Sequence, residues 1–238
     1  MEFVDVEEPA LKKPIIIAAM QDMGNLGSIA IDIINKKLKT KLFRYVTDPS
    51  PDYVIDKGGY IDYEQHRWEY RYAQDIIVFG GGTGQPQTSH ELYEMCSDVI
   101  QITKKYSAQL IYTLGAFHTD KEVGKQPRTF VTTTSPELTE QVKKLGIETT
   151  PGSSLITGFN GLILGFAKSN NIQGIGLYGE INEPRISQYR SAKSVLQTLE
   201  RLTYVKFGEL GELDVMADAI DTEMDKVRKS NRTWYDIT

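Results

Sequence analysis

An α/β layered fold is predicted by two observations. Runs of consecutive apolar residues alternate along the chain with segments of helical apolar spacing, and glycine-bearing junctions join one kind to the other. At 238 residues one sizeable core is expected, because α/β units often exceed the usual ~100 to 200 residues of a domain. The organisation read from the sequence is a single α/β domain over 1–211 with a β-rich insertion at about 51–74. A C-terminal amphipathic helix over 212–230 and an aromatic tail over 231–238 complete it.

The first unit is the clearest. Pro14 precedes Ile15-Ile16-Ile17-Ala18-Ala19, a continuous apolar run suited to a strand buried on both faces. Behind the Met23-Gly24-Asn25 junction, Leu26, Ile29, Ala30, Ile33, Ile34 and Leu38 fall at helical spacing. A strand follows at Lys41 to Val46. Alternating aromatic and polar residues around Gly58-Gly59, continuing through Arg67-Trp68-Glu69-Tyr70-Arg71-Tyr72, predict antiparallel hairpin strands beside the main sheet.

Asp75 to Phe79 reads as the next core strand, running into Gly80-Gly81-Gly82-Thr83-Gly84. Ser89 is the expected cap of a helix with Leu92, Met95, Cys96, Val99 and Ile102 on one face. Gln109 to Leu114 is a further strand, and Ser135-Pro136 opens a helix that Gly146 stops. In Leu155 to Ser169, Gly158, Gly161 and Gly165 share a helical face that would admit a close neighbour. Gly174 to Tyr178 is the last central strand. Ser187 is the expected cap of the next helix, and Leu213, Met216, Ile220, Met224 and Val227 mark the final one. Acidic residues at the start of that helix and basic ones at its end suit the helix dipole.

Composition narrows the function classes. A net charge of −5 offers no basic face for nucleic acid, and the one basic cluster, Lys36, Lys37, Lys39 and Lys41, reads as a solvated helix end. A single cysteine, Cys96, excludes an internal disulfide and a cysteine-rich metal site. No secretory signal or membrane-length apolar run is present, so a cytoplasmic location without membrane contact is expected.

No nucleophile with an identifiable base stands out, and His66, His90 and His118 lack metal-ligand spacing, so neither metal nor cofactor is expected. Two junctions at strand ends are the candidate ligand or anion loops: Asp22, Gly24 and Gly27 in the first, Gly80, Gly81, Gly82 and Gly84 in the second. Neither carries a dinucleotide fingerprint or a Walker lysine. Asp22, Asp75, Glu180 and Glu183 are carboxylates that could meet at strand ends and share a proton or a cation.

Three segments together resemble the proteasome assembly chaperone family with its archaeal and bacterial relatives. They are Ile15 to Leu38 with its "MGNLG" junction, "ITGFNGLILGFAKSNNIQGIGLYGE" from Ile156, and "NEPRISQYRSAKSVLQTLERL" from Asn182. The resemblance implies a three-layer α/β/α sandwich akin to purine nucleoside phosphorylases without their activity. It also implies homo-oligomers in archaeal members and, for some, escort of proteasome α subunits. Some such chaperones and proteasome activators end in a hydrophobic-Tyr-any tripeptide whose carboxylate docks between α subunits. Trp234-Tyr235-Asp236 fits that tripeptide by residue type, with Ile237 and Thr238 following.

The expectation is therefore a non-enzymatic, homo-oligomeric factor that binds proteasome α subunits or the α ring, with Trp234, Tyr235 and Asp236 as the partner anchor. The rival is a nucleoside- or phosphate-binding protein or enzyme on the same fold, using the two glycine junctions.

Overall fold

The run Ile15-Ile16-Ile17-Ala18 is apolar on both sides because the strand it forms has a helical layer on each face. In a computed structural model of the protein, residues 1–48, 54–63, 65–81, 84–86 and 88–235 are described, with backbone only from 228 onward. The elements in chain order are β1 (Glu2–Asp5), β2 (Ile15–Ala18), α1 (Leu26–Leu38), β3 (Lys41–Thr47), β4 (Ile55–Asp56), β5 (Ile61–Asp62), β6 (Arg67–Ala73) and β7 (Ile76–Gly80). They continue with α2 (Ser89–Lys105), β8 (Leu110–His118), β9 (Thr129–Thr133), α3 (Pro136–Lys144), α4 (Phe159–Ser169), β10 (Gly174–Ile181), α5 (Tyr189–Thr203) and α6 (Gly211–Tyr235).

Among the described residues, eight strands form one sheet in the order β1-β3-β6-β7-β2-β8-β10-β9. The middle four, β7, β2, β8 and β10, are parallel, and every pairing outside them is antiparallel. Alternation along β2 divides the core. Ile17 and Ala19 pack with α1, α3 and α5, whereas Ile16 and Ala18 pack with α2 and α4. The result is a three-layer α/β/α sandwich, with α6 seated on α5 through Leu213 and Ala217. All eight residues of β10 are buried.

Several expectations are corrected. Arg67 to Ala73 is not part of a separate insertion, because β6 sits inside the main sheet between β3 and β7. Its alternation does mark one buried face, Trp68 and Tyr70, but that face belongs to the central core beside Phe43 and Phe79. Among the described residues, only the two-residue pair β4–β5, closed by the Lys57 N–H to Tyr60 carbonyl bond at 2.9 Å, stands apart from the sheet. Residues 51–53 and 64 of the proposed insertion lie outside the described residues.

Edge strands β1 and β9 carry no continuous apolar run and were not expected from the sequence; they are held by pairing with β3 and β10. The glycine-rich helix begins at Phe159 rather than Leu155, with Gly158 at φ +70° as its cap residue. Two of its glycines do admit close neighbours, Gly158 the Gln85 side chain and Gly161 the Ile156 loop, whereas Gly165 has none. Leu155 lies in that loop and is 95% exposed. Thr88, not Ser89, caps α2, because its hydroxyl accepts the Glu91 N–H while Glu91 reaches back to the Thr88 N–H. Ser187 is not a cap either. Its hydroxyl accepts from Asn25 Nδ2 at 3.0 Å, and Gln188 holds the position before α5.

The antiparallel side of the sheet is tied to α2 by one buried ionic network. Arg44 on β3 pairs with Asp5 on β1 and, at 2.7 Å, with Asp98 on α2, whose other oxygen accepts the Tyr70 hydroxyl at 2.6 Å. Asp98 is 5% exposed, so both its partners matter. Asp98→Ala leaves the Arg44 guanidinium with only the exposed Asp5 and the buried Tyr70 hydroxyl without its acceptor, and is expected to destabilise the fold by about 3 kcal/mol or more. Tyr70→Phe is expected to cost about 1 to 3 kcal/mol. Urea unfolding of both variants checks the ranking, and equal small losses would contradict it.

Candidate functional site

The apolar run that forms β2 ends in Ala19 and Met20, both fully buried, so their backbone polar groups need partners inside the protein. The Ala19 N–H donates to the Phe79 carbonyl at 3.0 Å, and Asn160, in the first turn of α4, serves Met20. Its Oδ1 accepts the Met20 N–H at 2.9 Å and its Nδ2 donates to the Met20 carbonyl at 3.0 Å. Tyr178 on β10 donates its hydroxyl to the Asn160 carbonyl at 3.0 Å. Gln85 makes a second bridge, donating to the Gln21 carbonyl and accepting the Phe159 N–H, each at 2.8 Å. These bonds join the carboxyl ends of β2 and β10 to the start of α4.

Asp22 lies at the centre. Its Oδ1 accepts the Gly27 N–H at 2.8 Å and its Oδ2 accepts the Ala116 N–H at 2.7 Å, so one carboxyl closes the turn into α1 and fastens it to β8. Burial pushes the Asp22 pKa up from 3.8 to about 7, against the opposing hydrogen bonds from Gly27, Ala116 and Asn160. The same desolvation, reinforced by Asp22, raises the Tyr178 hydroxyl well above its ordinary range. Asp22, Gly115, Asn160 and Tyr178 line a cavity of about 410 Å³ that the 154–158 loop borders. It opens at the carboxyl ends of parallel strands, the usual binding position in an open α/β sheet.

A side chain at Gly27 would meet the Met20 carbonyl at 2.4 Å, and one at Gly80 would meet the Ala19 carbonyl at 2.4 Å, so both permit close approach of backbone. Gly24, at φ +67°, donates its N–H to the Pro184 carbonyl at 2.8 Å. An anion nest needs free N–H groups, and those of Gly24 and Gly27 are already engaged. Gly81 has φ +100°, and the Gly84 carbonyl accepts from Trp68 Nε1 at 3.0 Å. Gly82 lies outside the described residues.

Of the four carboxylates considered, Asp22 alone lines this cavity. Asp75 sits before β7, at the opposite end of the sheet, and accepts the Lys12 N–H at 2.7 Å. Glu180 pairs with Arg128 at 2.8 and 3.1 Å, which lowers its pKa. His118 is exposed at the end of β8 and borders the cavity, His90 is exposed at the start of α2, and His66 stacks on Trp68. Cys96 is a buried core residue whose thiol is pushed up to about 12 by burial. Among the described residues no cluster of His, Cys, Asp or Glu is placed to hold a metal ion, and no helix is long and apolar enough to cross a membrane.

Gln85, Asn160 and Tyr178 were not singled out by sequence reading. The one available signal was Asn160 itself, a lone amide inside "GFNGLILGF", where a buried polar group must have partners. At the other end of the chain, Trp234 and Tyr235 fall in the last turn of α6, which runs beyond the helix expected over 212–230. Their side chains, and the whole of Asp236, lie outside the described residues.

The sequence profile of the PAC2 family matches residues 16–228. The chain belongs to the PAC2 family. Members of that family are chaperone-like and non-enzymatic. This PAC2 protein is 27% identical over 222 residues to an uncharacterized protein of Methanocaldococcus jannaschii, covering 92% of this chain and 84% of that one. In structure it is similar to Pyrococcus furiosus PbaB, an archaeal proteasome activator, with a TM-score of 0.82 at 24% identity over 95% of this chain and 98% of PbaB. It is also similar to Pyrococcus furiosus PbaA, an archaeal homologue of proteasome-assembly chaperone, with a TM-score of 0.78 at 20% identity over 96% and 92% of the two chains. These likenesses establish a shared fold.

Desolvation of Asp22 makes the stability of this PAC2 protein depend on pH. The folded state holds the Asp22 proton more tightly than the unfolded chain does. Asp22's contribution therefore falls as pH rises from its ordinary 3.8 toward about 7, and levels off above. A carbon-detected NMR titration of the Asp22 carboxyl is expected to show a midpoint near 7. A midpoint in the ordinary carboxylate range would contradict the burial described here.

Proposed function

We propose that this PAC2 protein is a non-enzymatic proteasome assembly or activation factor that self-associates and binds proteasome α subunits or the α ring in the cytoplasm. The observation that carries the reading is the family match over residues 16–228, supported by the fold shared along nearly the whole chain with PbaB and PbaA.

The arrangement of α6 fits a partner-binding role. Its first half is held to the body. Lys36 and Lys37 pair with Glu212, Lys193 pairs with Asp214, and Arg190 pairs with Asp218 and Asp221. Leu213 and Ala217 are buried, whereas Val215 and Val227 are more than half exposed. A 25-residue helix is about 37 Å long at ~1.5 Å per residue. Anchored at its start, it carries Trp234 and Tyr235 at its other end, where aromatic anchors suit the centre of a protein interface.

Purified protein mixed with archaeal proteasome α subunits is expected to co-migrate with them in size-exclusion chromatography and to change the rate of α-ring assembly. Deleting Trp234 to Thr238 should weaken that binding about tenfold or more, as loss of an aromatic anchor does, while leaving the melting temperature unchanged. Absence of any complex with the full chain would sink the proposal. Undiminished binding after truncation would remove the tail from it.

A further inference from the structure

The cavity beside Asp22 has a chemistry that a structural junction does not require. Turn closure uses the two Asp22 hydrogen bonds to Gly27 and Ala116, yet the carboxyl also borders open space. Gly115 creates part of that space. A Cβ there would sit 3.2 Å from Asp22 Oδ2 and 3.2 Å from the Tyr178 ring, filling the gap between them. Its apolar lining comes from Met23, Phe117, Leu155 and Ile156, its polar rim includes Gln85, Thr150 and Ser154, and the volume, about 410 Å³, falls in the range of small-ligand sites.

Charge selects the ligand. Among the described lining residues Asp22 is the one carboxylate, and no lysine or arginine joins it. Of the titratable groups on the elements packed around Asp22, β10 brings Tyr178 and β8 ends in His118; α4 brings the uncharged Asn160. Glu180, on the same face of β10 as Tyr178, is neutralised by Arg128. No lysine or arginine is therefore placed to neutralise a phosphate or other anion, and the one imidazole, His118, is exposed at the end of β8. A cation would meet a poorly solvated carboxylate beside two aromatic residues, Tyr178 and Phe117, an environment that strengthens its attraction to the carboxylate.

We propose that this cavity binds a small organic cation, an amine or amidine on an apolar or aromatic body, with the Asp22 carboxylate as counter-ion and Tyr178 and Phe117 as ring walls. This does not rest on the proteasome reading. Binding requires the ionised carboxylate, so affinity should rise with pH. With Asp22 titrating at about 7, the ionised fraction and hence the affinity increase about tenfold between about pH 6 and about pH 8.

Benzamidine is the probe, and benzoate is its oppositely charged control. The full chain is expected to show amide NMR shifts with benzamidine confined to Asp22, Gly115 to Phe117, the 154–160 segment and Tyr178, with dissociation constants about tenfold tighter at the higher pH. Benzoate should give none. Asp22→Asn and Gly115→Ala should each weaken benzamidine binding about tenfold or more, the first by removing charge and the second by filling space. Should Asp22→Asn fail to fold, Gly115→Ala and the shift map on the unaltered protein decide the matter. Absence of benzamidine binding, shifts centred elsewhere, equal binding of benzoate, or affinity independent of pH would each overturn the proposal.

Discussion

The chain leaves β2 inside the protein, and the backbone of Met20 must find both its hydrogen bonds there. Asn160 provides them from a helix 140 residues away in sequence, and much of the molecule follows from that one pairing. A buried N–H or carbonyl left without a partner costs about 1 to 3 kcal/mol, so α4 cannot shift without leaving two such groups unsatisfied. With α4 placed, Tyr178 can reach the Asn160 carbonyl, Gln85 can bridge Gln21 to Phe159, and the cavity beside Asp22 acquires its walls. The glycines at 27 and 80 serve the same constraint from below by letting the Met20 and Ala19 carbonyls come close.

The two regions proposed to bind partners fall on opposite faces of the sheet. The cavity opens on the side covered by α2 and α4, because Gly115, Asn160 and Tyr178 all face that layer. The helix that carries Trp234 and Tyr235 packs on α5, on the other side. A ligand at Asp22 and a protein partner at the end of α6 would thus contact different helical layers joined through β10, whose residues are buried throughout. Position on the fold does not make either region compete with the other.

The parallel centre of the sheet was legible because its physics is local. Strands buried on both faces must be apolar without interruption, and the helices between them must bury one stripe, so composition and spacing announce both. The edges were not. The residues of β1 and β9 are specified by a neighbouring strand's free hydrogen-bonding groups, which sequence does not display. For β6 the period was readable, but the location of its buried face was not. Trp68 and Tyr70 look the same whether they line a separate hairpin or the central core.

The site divides in the same way. Sequence by itself determined that the chain is a layered α/β protein without a recognisable catalytic constellation, that its junctions need glycine, and that it resembles one family over most of its length. Those properties reside in residue type and short spacing. Tertiary structure decided which carboxylate matters: Asp22, Asp75, Glu180 and Glu183 are alike as letters, but only Asp22 is desolvated beside a cavity, whereas Asp75 accepts a backbone N–H at the far end of the sheet and Glu180 is matched to Arg128. The reason is that burial and partners are set by elements remote in sequence, and a carboxyl's charge, and with it its chemistry, depends on both.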